Sequence, residues 1–234
     1  MTHRRLISRR AARRAVALLF FCLVSTSCSG TGSGVRLDSS IDPATFGALI
    51  YVDGSIDESM HDAIVRTVNS VNSRRLMLQL NSRGGSTKAG FEIIDYLSQL
   101  KREGYTITTY VEQECDSMCI PIYMQGSIRL ATPTSRWVFH DARNPFGTDE
   151  RATTRMLSEL ATNGADNGWL TCLLLSNVFV GGNWIAYSGE RLKREQSNIV
   201  TELVVAGHAR ETRSESFDPA TAPSPPPCHG KAPS

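Results

Sequence analysis

Short runs of consecutive apolar residues alternate with stretches whose apolar residues recur every three or four positions, and this alternation most constrains the fold. Leu49-Ile50-Tyr51-Val52 ends at the turn signal Asp53-Gly54 and reads as a strand. Met60, Ile64, Val68 and Val71 then recur at helical spacing. Leu76 to Leu80 forms a second apolar run, broken by Asn81-Ser82-Arg83-Gly84-Gly85. Phe91, Ile94, Leu97 and Leu100, with Ile93, mark another helix, and Tyr105 to Val111 is extended. Strands separated by helices need crossover connections rather than hairpins. The expectation is an α/β fold with a mostly parallel sheet and flanking helices.

The ends of the chain have a different character. Arginines from Arg4 to Arg14 precede an apolar run, Ala15 to Val24, and then small polar residues up to Cys28. This is the order of a secretory signal, and the apolar run is too short to span a bilayer as a mature helix. Ser25-Thr26-Ser27-Cys28 resembles a bacterial lipobox, with serine where leucine is usual at position 25. The expected organisation is a signal peptide over 1–27 and a Ser/Gly-rich tether over 28–44, with Cys28 as lipid anchor. A domain over 45–207 follows, then a Pro/Ser/Ala-rich tail over 208–234 that buries too little to fold. The expected location is the periplasm or cell envelope, on the membrane through the lipid.

Net charge is +2 across 234 residues. The basic excess belongs to the leader; without Arg4, Arg5, Arg9, Arg10, Arg13 and Arg14 the remainder is acidic. A nucleic-acid partner is therefore not expected, since that grip needs clustered positive charge on the folded domain. Six cysteines are too sparse for a disulfide scaffold in a chain of this length. No metal site or cofactor is expected: beyond Cys115 and Cys119, only His140 and Cys172 stand out in the domain as candidate ligands.

Three features follow in order. Gly84-Gly85 ends a strand, where paired glycines leave amide N–H groups unshielded, as a binder of an oxyanion requires. Cys115-Asp116-Ser117-Met118-Cys119 follows the third strand and precedes Ile120-Pro121-Ile122-Tyr123. Trp137-Val138-Phe139-His140 is an apolar strand ending in histidine. Each alone reads equally well as structural: a turn, a helix cap, a core histidine. Together, with Leu78 to Gly85 and Arg129-Leu130-Ala131-Thr132-Pro133, they resemble the proteolytic subunit of the Clp protease, within the wider ClpP/crotonase superfamily. They are similar in particular to exported bacterial ClpP-like proteins with a Cys-x-Ser-x-Cys nucleophile region. The resemblance runs from about Ile50 to Val204 and implies the ClpP/crotonase-like fold, with its ββα/βαβ units.

It also implies roles. Ser117 would be the nucleophile and His140 its general base, with the amides of Gly85 and Met118 as the oxyanion hole. Laying Ser188-Gly189-Glu190 on the family's late helix puts Asn183 where the family carries an aspartate. Asparagine can orient an imidazole but adds no charge to stabilise the imidazolium. Asp116, beside the nucleophile, is a second departure, because a carboxylate there could repel the oxyanion. Asp141 is an alternative acid, although adjacent residues in a strand point to opposite faces. Lys88, just past the glycines, offers a serine–lysine rival, against the plainer reading of a solvated lysine.

At helical i, i+4 spacing, Cys115 and Cys119 lie near enough to bridge, so a disulfide or a pair of buried thiols is expected. The leading functional reading is an exported serine hydrolase acting on a peptide or protein substrate, with homo-oligomerisation open. The alternative is a catalytically impaired scaffold that binds a partner in the same cleft. A crotonase-type acyl-CoA enzyme ranks third, because export separates it from coenzyme A.

Overall fold

The computed structural model describes residues 34–204. The signal segment, Cys28 and the tail over 208–234 lie outside the described residues. The chain runs β1 (Gly34–Leu37), α1 (Pro43–Phe46), β2 (Ala48–Asp53), α2 (Glu58–Ser70), β3 (Arg75–Ser82), α3 (Thr87–Arg102) and β4 (Thr106–Cys115). It continues through α4 (Cys119–Tyr123), β5 (Ile128–Ala131), β6 (Arg136–His140), β7 (Arg143–Asn144) and β8 (Gly147–Thr148). The last elements are α5 (Glu150–Thr162), α6 (Asn167–Leu175), β9 (Trp184–Ser188), α7 (Gly189–Arg194) and β10 (Glu202–Leu203).

Eight strands form one sheet in the order β1-β2-β3-β4-β5-β10, with β6 joined to the end of β4 and β9 joined to β6. The β2–β3, β3–β4, β4–β5, β5–β10 and β4–β6 pairs are parallel; β1–β2 and β6–β9 are antiparallel. This is the expected α/β class with a mostly parallel sheet. The strands β2, β3 and β4 bury alternate residues, among them Ile50, Val52, Leu78, Leu80, Ile107 and Val111. Helix α2 covers them with Met60, Ile64 and Val68, and α3 with Ile93, Ile94 and Leu97. Helix starts follow side-chain capping: Asp57, Ser86, Asp149 and Asp166 each accept an N–H from the first turn of α2, α3, α5 and α6.

Part of the segment read as tether belongs to the domain. Residues 34–37 pair antiparallel with β2, Val35 and Leu37 pack against the core, and the Arg36 guanidinium stacks 3.6 Å from the centre of the Tyr51 ring. The Ser/Gly content ahead of this strand hides a short alternation that one neighbouring strand suffices to order.

Candidate active site

The site forms where the C-terminal ends of β3, β4 and β6 meet, the usual place for chemistry on a parallel sheet. Strand β4 is ten residues long and outruns its neighbours. A register shift beyond Leu80 brings Ser82 opposite Cys115, and the Asp116 N–H donates to the Ser82 carbonyl at 2.9 Å. The turn after β3 is thereby fastened to the turn after β4.

Ser117 sits at the apex of the second turn with φ +53°, the left-handed region that costs a non-glycine residue about 1–2 kcal/mol. Its N–H donates to the Val138 carbonyl at 2.8 Å, and its carbonyl accepts from the Ile120 N–H at 3.0 Å. A sharp strand-to-helix turn with the nucleophile in strained backbone is a recurring way to present a serine hydroxyl. Cys115 closes β4 and Cys119 opens α4, and their sulfurs are bonded across the turn with Cα atoms 5.2 Å apart. The two cysteines thus straddle a strand-to-helix junction rather than occupying successive turns of one helix.

The glycine pair packs onto this turn. A Cβ on Gly84 would lie 2.8 Å from the Ser117 Cβ and 3.2 Å from the Met118 nitrogen, so only glycine allows the approach. Gly85 forms a parallel bridge with Ile56: the Ile56 N–H donates to the Gly84 carbonyl at 2.9 Å, and the Ile56 carbonyl accepts from Ser86 at 2.8 Å. That pattern turns the Gly85 N–H away from Ile56. Among the described residues, neither the Gly85 nor the Met118 N–H donates a hydrogen bond. Two unused amides beside a serine hydroxyl are what an oxyanion hole requires.

Ser117 and His140 line one small apolar cleft with Ile120, Pro121, Phe139, Met156, Leu157, Leu160 and Phe179. No hydrogen bond joins Ser117 to His140; such contacts often tighten only around substrate. His140 Nδ1 lies 2.5 Å from the Asp141 main-chain oxygen. A carbonyl only accepts, so Nδ1 is the donor in this contact, and in the neutral ring that leaves Nε2 as the acceptor. The Asp141 carboxylate is also close, with Oδ1 4.0 Å from Nδ1. Asn183 precedes Trp184, the strand partner of His140, but its exposed carboxamide donates to the Asn177 carbonyl at 3.1 Å and, among the described residues, makes no hydrogen bond to the histidine.

Asp116 is held in an ion pair, Oδ2 lying 2.7 Å from Arg136 Nη1. Burial pushes its acid up to about 7, with Arg136 opposing and Glu114 assisting the rise. Arg136 also binds Glu114 at 2.9 Å, and Glu114 binds Arg83 at 3.0 Å, so the carboxylate joins a charged chain along the end of β4. Lys88 pairs with Glu58 at 2.7 Å and Glu92 at 3.2 Å on the exposed side of α3, and both contacts raise its pKa. That favours a charged surface lysine over a general base. Among the described residues, no group of three or more His, Cys, Asp or Glu could hold a metal.

Sequence reasoning missed the apolar wall contributed by α5 and by Phe179. The buried face of α5 is Ala152, Thr153, Met156 and Leu160, where two small residues blur the stripe.

A strained serine at the end of a central parallel strand, a strand-ending histidine and a glycine pair with unused amides meet at one end of the α/β sheet. The Clp protease family model matches residues 39–161, more than half of the sequence, and the chain belongs to that family. An ATP-dependent Clp protease proteolytic subunit from Carsonella ruddii (strain PV) is 30% identical over 95 residues, 39% of this chain and 48% of that protein. The chain therefore spans about half the length of this curated relative.

Proposed function

We propose that this Clp-family protein is an exported serine peptidase with Ser117 as nucleophile and His140 as general base. The observation that carries the reading is the strained Ser117 turn, wedged against Gly84 and flanked by the unused Gly85 and Met118 amides. Ser117 Oγ attacks the scissile carbonyl while its proton passes to His140 Nε2. The oxyanion takes up the two amides, and the imidazolium returns the proton to the leaving amine. Water, deprotonated by the same histidine, then releases the acyl group. A homo-oligomer belongs to the same proposal, by extension from the family.

Export rests on the charged, apolar and small-residue order ahead of Cys28, with lipidation at Cys28 holding the domain to the membrane. Intact-mass analysis of the membrane fraction should find a diacylglyceryl adduct on Cys28. A soluble product with a free N-terminus elsewhere would contradict it.

A second reading, a scaffold that holds a peptide without cutting it, is favoured by Asn183, an amide where the family resemblance expects a carboxylate. The experiment that separates the two is labelling by a fluorophosphonate probe, with Ser117→Ala as control. The peptidase reading requires labelling that disappears in the variant.

A further inference from the structure

We infer that Asp141 is the positioning residue for His140, supplying from the next position in the chain the negative charge that Asn183 lacks. The inference rests on the peptidase reading above. Strand β6 ends at His140, so the pleat that would send adjacent side chains to opposite faces stops there. The following backbone is pinned instead. The Ala142 N–H donates to Thr153 Oγ1 at 2.9 Å, and the Ala142 carbonyl accepts from the Asp149 N–H at 2.8 Å. The Asp141 side chain is left fully buried, 0% exposed.

Its two oxygens have different surroundings. Oδ2 accepts from the Thr148 hydroxyl and, at 3.3 Å, from the Gly182 N–H. Oδ1 is buried and has no hydrogen-bond partner among the described residues, yet lies 4.0 Å from His140 Nδ1. A buried carboxylate oxygen without a donor is costly unless a partner is within reach. The group within reach is an imidazole that becomes cationic when it takes the Ser117 proton. Around this pair β9 contributes Trp184 and Ile185, and α5 contributes the apolar Met156 and Leu160. A charged side chain outside the pair, Arg143, packs against the Gly182 backbone, whose N–H reaches Oδ2.

Asp141 therefore acts on the histidine twice. Its main-chain carbonyl holds the proton on Nδ1 and keeps Nε2 open to the serine. Its carboxylate stabilises the imidazolium as it forms, a role that needs a fixed nearby anion rather than contact with substrate. A small rotation of the imidazole exchanges the carbonyl for Oδ1.

The test uses the full chain and hydrolysis of an activated ester, with rates taken per fluorophosphonate-titrated site. Asp141→Asn is nearly isosteric and should lower kcat by about 10²- to 10⁴-fold with KM and the count of titratable sites unchanged. Thr148→Val, which frees Oδ2 but leaves the carboxylate, should give a smaller loss in kcat at the same KM. Both variants bear on the inference, so a folding failure of Asp141→Asn leaves Thr148→Val to decide. The inference is overturned if kcat survives both substitutions, or if Asn183→Ala costs more than Asp141→Asn. It is equally overturned if the loss is merely a proportionate loss of titratable sites. A parent with no Ser117-dependent hydrolysis would overturn the peptidase reading itself, a result distinct from the others.

Discussion

Replacing Gly84 with alanine tests whether the glycine turn and the nucleophile turn form one packed unit. Two costs combine. Gly84 has φ +90°, so any L side chain there meets the left-handed penalty of about 1–2 kcal/mol. The new Cβ would also sit 2.8 Å from the Ser117 Cβ and 2.9 Å from the Asp116 carbonyl oxygen. Relieving such overlap in a packed region costs about 1–3 kcal/mol more. The sum, about 2–5 kcal/mol, corresponds to a fall in Tm of about 4–20 °C in a domain of this size. Because the Ser117 Cβ must retreat by a few tenths of an ångström, fluorophosphonate labelling should slow by about 10- to 100-fold. Gly104→Ala is the matched control. Gly104 also has φ +90°, but its nearest neighbour would be Arg74 Nη1 at 3.4 Å, far from the site in sequence and at the tip of a flexible side chain. That variant should show only the backbone cost and label at the parental rate. If Gly84→Ala matches Gly104→Ala in both Tm and labelling, the proposed packing of Gly84 on the nucleophile is wrong.

Three further outcomes follow from the same geometry. Asp116 has a folded-state pKa of about 7 against an ordinary 3.8, so its contribution to stability is fully present below pH 4 and is lost as pH rises through 7. Comparing parent and Asp116→Asn at pH 5 and pH 8 should show the variant gaining stability relative to the parent at the higher pH, by about 3 kcal/mol read from the Tm difference; equal pH dependence in the two proteins would refute the assignment. Removing the Cys115–Cys119 bridge in the Cys115→Ser, Cys119→Ser double variant should lower stability by about 2 kcal/mol through the short loop it closes, read as a Tm below the parent's under non-reducing conditions; an unchanged Tm would refute it. Lys88→Ala should label at the parental rate, since that lysine is an exposed ion-paired side chain; a loss of labelling would revive the serine–lysine alternative.

The parallel core was legible because its signals are local. Apolar runs such as Leu76 to Leu80 and the helical stripe of Met60, Ile64 and Val68 each declare their period within a dozen residues. Ser117 and His140 are singled out by the order of motifs, not by any single one. What remained hidden depends on tertiary packing. The antiparallel strand at residues 34–37 needs Tyr51 and β2 to hold it, and α6 carries leucines around most of its surface, so neither gives a clean periodic signal. The setting of Asp141 was hidden for another reason: strand alternation predicts an opposite-facing side chain, and nothing local announces that β6 stops at His140. Likewise, the alignment that selected Asn183 counts positions along the chain, whereas the turn before β9 directs that amide to Asn177.

The most direct measurement is the rate of covalent fluorophosphonate labelling at Ser117, located by peptide mapping in the parent and repeated in Ser117→Ala and His140→Ala. A strained serine activated by a neighbouring imidazole predicts a single adduct on Ser117, abolished in the first variant and slowed by several powers of ten in the second. An unlabelled parent, or labelling that persists in Ser117→Ala, would contradict the assignment of Ser117 as nucleophile and leave the cleft as a binding site.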